Sequence, residues 1–220
     1  SELSERPYTL KLISKQIPEL EDRRASGEPV SGATLYELMT EEWLDRDDLK
    51  HYISREHKPL LVMALAAHLW RSGTSLLPVS ELHDWFHEWV ASEARFQRRY
   101  SNADVERLEE DLRTATFLSR EDEPLAGFRF AHTSLFEYFL ARHLAESAQR
   151  NVCEGWRIPV PSRETLTFLG ELFQTEYSDA LHQLARWRTS YRPQVSELLL
   201  AYALHAHRQV LPMHPLRGTT

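Results

Sequence analysis

The order of apolar and polar positions along the chain alternates between helical and extended periodicity. From Pro7 to about Leu20, Leu10, Ile13 and Ile17 recur on one face with Tyr8 and Leu12 beside them. That spacing predicts an amphipathic helix. Pro7 suits its first position, where a missing N–H costs nothing. Residues 21–33 are polar, hold Gly27, Pro29 and Gly32, and predict a loop. Leu35, Leu38, Trp43 and Leu44 predict a second helix from about Thr34 to Arg46. In the charged stretch Asp45–Lys58, Leu49, Tyr52 and Ile53 suggest a helical turn or two. Pro59–Arg71 is apolar nearly all round, which predicts a central buried helix, and Gly73 predicts its left-handed cap.

Leu76-Leu77-Pro78 predicts a short extended link. Val79 to about Phe96 carries Leu82, Trp85, Phe86, Trp89 and Val90 at helical spacing, and Asp104–Ala115 presents Val105, Leu108, Leu112 and Ala115. The period then changes to two. Phe117–Arg120 and Phe128–His132 predict two strands around the turn-rich segment 121–127. Ser134-Leu135-Phe136-Glu137 matches a capping box, predicting a helix from Ser134 to about Ala148. Shorter helices follow at roughly 163–174, 178–188 and 194–208, separated by Pro159, Pro161 and Pro193. No repeat period links them.

The fold expected is mainly α: a helical domain (1–58), a winged-helix domain with a small two-stranded wing (59–149), a C-terminal helical segment (150–210) and a tail or linker (211–220). Helix, short strand, helix, helix, two-stranded wing, helix is the winged-helix order.

Composition narrows the function classes. The 220 residues are 42% hydrophobic and 27% charged, as in an ordinary globular protein. The net charge of −7 disfavours a polyanion binder. The helix 104–115, which would be the recognition helix of a DNA reader, carries Asp104, Glu106, Glu109, Glu110 and Asp111 against Arg107 and Arg113. Cys153 is the only cysteine, which fits a reducing cytoplasm and a packed thiol. No apolar run approaches the ~20 residues of a membrane span.

No phosphate-binding G-x-x-x-x-G-K-[ST] loop, G-x-S-x-G elbow, G-x-G-x-x-G turn or H-E-x-x-H helix occurs, so the chain is expected to be non-catalytic. His83 and His87, four apart on one helix, are a possible metal pair, but solvated histidines are the plainer reading. His205 and His207 point to different helix faces. Arg95, Arg98 and Arg99 read as a solvated helix end or a small basic patch.

The segment Phe128-Arg-Phe-Ala-His-Thr-Ser-Leu-Phe-Glu-Tyr-Phe-Leu-Ala-Arg-His-Leu144 resembles the F-x-F-x-H-x-S-x-x-E-Y-F-x-A-x-x-L signature that closes the winged helix of NACHT-type STAND NTPases. Asp111–Arg120 is similar to that family's first wing strand, and Arg6–Ile13 to the entry into its helical domain. The resemblance covers about residues 5–150. It implies a module that follows an NTPase core, with ADP or ATP, and Mg in the core, held in the parent protein. It implies that Pro7 packs on the adenine and that His132 contacts the ADP β-phosphate and latches the inactive state. The implied partners are the chain's own upstream NTPase domain and, on activation, further copies of the parent. Bacterial members often act in antiviral defence or signalling. The eukaryotic and plant relatives carry Met-His-Asp where this chain has Ala131-His132-Thr133. The alternatives are an interaction scaffold without nucleotide contact and, less favoured, a DNA-binding regulator.

Overall fold

In a computed structural model, residues 7–47, 52–100, 107, 110, 111, 117–121, 126–189 and 193–210 are described. The fold is mainly helical, with one small antiparallel sheet. Helix α1 (Pro7–Ala25) pairs with α2 (Gly32–Asp47). The expected loop therefore shrinks to residues 26–31. Gly27 takes φ 82°, a left-handed conformation open to glycine at little cost. Gln16 is buried while Ile17 is 46% exposed, so the inner face of α1 runs through Ile13 and Gln16 rather than Ile17. Gln16 gains by donating its amide to Glu42 Oε2 at 2.5 Å.

Helix α3 (Lys58–Ser72) is the buried helix expected. It ends on Gly73 at φ 68°, whose N–H bonds back to Trp70 O at 3.2 Å. The segment after it is a true strand. β1 (Leu77–Pro78) joins β3 (Gly127–Phe130), which also pairs with β2 (Leu118–Glu121), in the order β1-β3-β2. β2 and β3 are the two strands expected around the turn, and the extended link expected at 76–78 joins them as a third. Register pairs Leu77 with Phe128, and Leu118 with Phe130. A Cβ at Gly127 would lie 2.7 Å from the Leu77 carbonyl oxygen, so only glycine permits this pairing. Phe128 and Phe130 are buried and Arg129 is exposed, as a period of two requires.

The helix expected over 79–96 is two. α4 (Val79–Ser92) ends where Glu93 turns extended, at φ −108° and ψ 103°, and α5 (Ala94–Tyr100) follows. Ser92 Oγ donates to Trp89 O at 2.8 Å, a local bond that competes with continuing the helix. Most of the helix expected over 104–115 lies outside the described residues; Arg107, Glu110 and Asp111 are helical. The expectation for the tail 211–220 also lies outside them.

α6 (Thr133–Gln149) is the hub, with Tyr138, Phe139, Leu140, Ala141 and Leu144 fully buried. Onto it pack α3, the 3₁₀ turn Cys153–Trp156, α7 (Arg163–Gln174) and α8 (Ala180–Thr189); α9 (Pro193–Val210) closes over α7. Buried side chains from Ala33 to Leu198 form a single apolar cluster. Non-local tryptophan bonds fasten the C-terminal part. Trp156 Nε1 donates to Leu144 O, Trp187 Nε1 to Asn151 Oδ1, and Trp70 Nε1 to Pro159 O, all at 2.8–2.9 Å. Among the described residues no helix is long and apolar enough to cross a membrane.

Candidate functional site: the strand-to-helix junction at His132

His132 stands between β3 and α6. The Ala131 N–H bonds to Phe117 O at 2.9 Å, which holds the chain extended up to His132 (φ −151°, ψ 144°). The helix begins one residue later. Because the backbone leaves the strand there, His132 and not Ser134 is the N-cap. Its Nδ1 accepts the Ser134 N–H at 3.1 Å, satisfying one of the donors that the first turn leaves open. The capping box expected at Ser134–Glu137 does not form, since both residues lie within the first turn. Glu137 instead accepts a 2.7 Å hydrogen bond from Ser162 Oγ, and Ser162 caps α7 by accepting the Thr165 N–H at 3.1 Å. Burial, followed by the charge of Glu164, raises the Glu137 pKa, and the Ser162 bond opposes that rise.

The cap fixes the chemistry of the imidazole. An Nδ1 that accepts a hydrogen bond carries no proton, so the ring is the neutral tautomer with its proton on Nε2. Nε2 is shielded from solvent. Pro7 opens α1, as its residue type suggests; its side chain lies outside what is described.

Across the first turn of α6, Tyr36 of α2 stacks on Tyr138 with ring centroids 5.3 Å apart and meets Phe168 of α7 edge-on at 5.2 Å. Its hydroxyl is buried beside the Ser134 hydroxyl without reaching hydrogen-bond geometry, and burial raises its pKa. Glu171 of α7 accepts the Ala33 N–H at 2.8 Å. A carboxylate distant in sequence thereby caps the start of α2.

Sequence reasoning missed a second polar group one turn further along α6. Arg142 keeps only 12% of its side chain exposed. It donates to Glu176 at 3.2 Å and to the hydroxyls of Tyr138 and Tyr177 at 3.4 and 3.5 Å. Burial raises Tyr177 to about 12. Glu37 faces the same cluster; burial first and the charge of Glu176 second raise its pKa. The only sequence signal was an arginine inside an apolar helix face.

The remaining candidates are ordinary. The His83 and His87 rings lie with centroids 4.4 Å apart and planes tilted by 51°, and His83 Nδ1 lies 3.3 Å from Asp84. No group of three or more potential metal ligands occurs among the described residues. His205 meets Thr167 Oγ1 at 3.1 Å; the His207 side chain is outside the described set. Arg99 pairs with Glu56 at 3.1 Å, while the side chains of Arg95 and Arg98 are not described. Cys153 is buried.

No protein-family model, curated protein or solved structure matches this chain.

Proposed function

We propose that this chain is a non-catalytic regulatory module of a NACHT-type STAND ATPase, placed after the NTPase core and contacting its bound ADP. In this reading residues 59–149 are a winged helix, with β2 and β3 as the wing and α6 as the helix that follows. The parent senses a signal in the cytoplasm, exchanges ADP for ATP and assembles with further copies of itself.

One observation carries the reading. His132 is the hinge between strand and helix, at the position the resemblance puts on the phosphate, and an imidazole turned off the Ser134 cap offers an N–H donor. A β-phosphate oxygen is a suitable acceptor for that donor. The signature residues around it are held in place: Phe128 and Phe130 by the core, and Tyr138 and Phe139 by burial in α6. Pro7 would lie on the adenine.

The shielding of Nε2 favours a second reading. Phosphate contact requires the imidazole to turn outward, at the expense of the Ser134 cap. If His132 never turns, the chain is an interaction scaffold and the histidine is purely a cap. ADP release from the full-length parent separates the two. His132→Asn keeps a capping oxygen and removes the imidazole donor, so it speeds release only if the nucleotide is contacted.

A further inference from the structure

A groove of about 480 Å³ runs between α3, α4 and α6, away from the His132 junction. That volume lies in the range typical of small-molecule sites. Leu60, Met63, Ala64 and Ala67 of α3 form one wall, and Trp85 and Trp89 of α4 the other. Trp85, Glu88, Trp89 and Ser92 fall at i, i+3, i+4 and i+7, so one helical face presents two indoles with a carboxylate between them. The two indoles are parallel, 4° apart in plane, with centroids 6.1 Å apart.

Most of the charge in the lining is paired. Glu88, Glu93, Glu146 and Glu154 stand against Arg71 and Arg150, and Glu154 is paired from outside the groove by Arg157 at 2.8 Å. Arg150 is taken up by Glu93 at 3.1 and 3.4 Å, and by Glu146 at 3.7 Å. Arg71 sits exposed at the end of α3. His68 and His143 also line the groove and add no positive charge at neutral pH. Burial, with Arg71 second, lowers both, His143 to about 4. The 153–156 turn closes one end, where Gly155 lies so near Ser147 that a Cβ would meet its Oγ at 2.1 Å. Glu88 is therefore the carboxylate of this mixed polar and apolar lining that no arginine among the described residues takes up; a carboxylate beside indole rings favours a cation.

We propose that this groove binds a small organic ammonium ion, with its hydrocarbon body against Ala64 and Met63 and its charge between Glu88 and the indole faces. The assignment is independent of the nucleotide reading. Phenethylammonium is the probe, with 2-phenylethanol and phenylacetate as its neutral and anionic counterparts, each titrated into the whole chain by calorimetry. The expected result is saturable binding of the amine, weaker binding of the alcohol and none of the acid. Glu88→Gln, at an exposed position, should weaken the amine about five- to tenfold and leave the alcohol unchanged. Ala64→Phe should abolish binding of both by filling the groove. Equal binding of amine and acid, no saturable binding at millimolar amine, or an unchanged amine affinity in Ala64→Phe would each overturn the assignment.

Discussion

The cap at His132 makes a prediction whose size follows from the geometry. His132→Ala removes Nδ1 and leaves the half-buried Ser134 N–H without its 3.1 Å acceptor. Loss of a good N-cap costs about 1 kcal/mol, in a range of ~0.5–2. The vacated ring volume adds to this, because the imidazole is partly buried at the foot of β3. A total of about 1–2 kcal/mol lowers the melting temperature by ~2–8 °C for a chain of this length. His132→Asn is the control: its Oδ1 is among the best N-cap acceptors, so most of that loss should be recovered. Thermal unfolding of the three proteins by far-UV circular dichroism reads the difference. Equal melting temperatures for wild type and His132→Ala would show that the cap contributes nothing. An asparagine variant as unstable as alanine would show that ring packing, not the Nδ1 acceptor, holds the junction.

Two further predictions concern the supports of α6. Glu37 has a raised folded-state pKa, so its contribution is most favourable below the ordinary carboxylate range and is lost as pH rises through the raised value. Wild-type stability should therefore gain from this group as pH falls from neutral toward that range. Glu37→Gln should be more stable than wild type at pH 7 and lose that part of the pH dependence; a lower melting temperature at pH 7 would count against it. Gly155→Ala places a Cβ 2.5 Å from Ser147 Cβ, which is fixed to the α6 backbone. Overpacking of this kind costs ~1–3 kcal/mol, and an unchanged denaturation midpoint would contradict it.

Much of the fold was legible because its signals are local. The apolar run of α3 and its Gly73 cap, the alternation at Phe128–Phe130, and the proline-separated helices over 163–210 all stand near where the sequence put them. The errors arise where a distant residue decides. Ile17 suits an apolar face, but Glu42 of α2 draws Gln16 inward instead. Ser134 and Glu137 have the spacing of a capping box. The bond from Ala131 to Phe117 O, however, holds the strand up to His132 and brings the helix start forward. Histidine is not a favoured cap, so no propensity rule would have chosen it. The extended link at Leu77 and Pro78 was legible, but its partner was not; the absence of a side chain at Gly127 lets it pair with β3. The Arg142 cluster draws on α2, α6 and the turn after α7, and no window of sequence contains all three.

The resemblance implies a phosphate contact for His132, and the structure shows the residue as the N-cap of α6. Both can hold if the ring exchanges between them, with the cap filled when the phosphate contact is absent. In the proposed reading this would be the physical basis of a latch, with the Ser134 N–H and the nucleotide drawing one ring to two orientations.

The direct test of the proposed nucleotide contact is the rate at which the proposed full-length STAND parent releases a fluorescent ADP analogue, compared between wild type and His132→Asn. Asparagine retains the cap, and its shorter amide does not reproduce the reach of Nε2. Loss of one charge-assisted hydrogen bond, ~1.5–3 kcal/mol, should speed release on the order of 10–100-fold while the melting temperature of the nucleotide-free protein stays near wild type. An unchanged release rate in a folded His132→Asn protein would contradict the nucleotide contact and leave His132 as the cap of α6 alone.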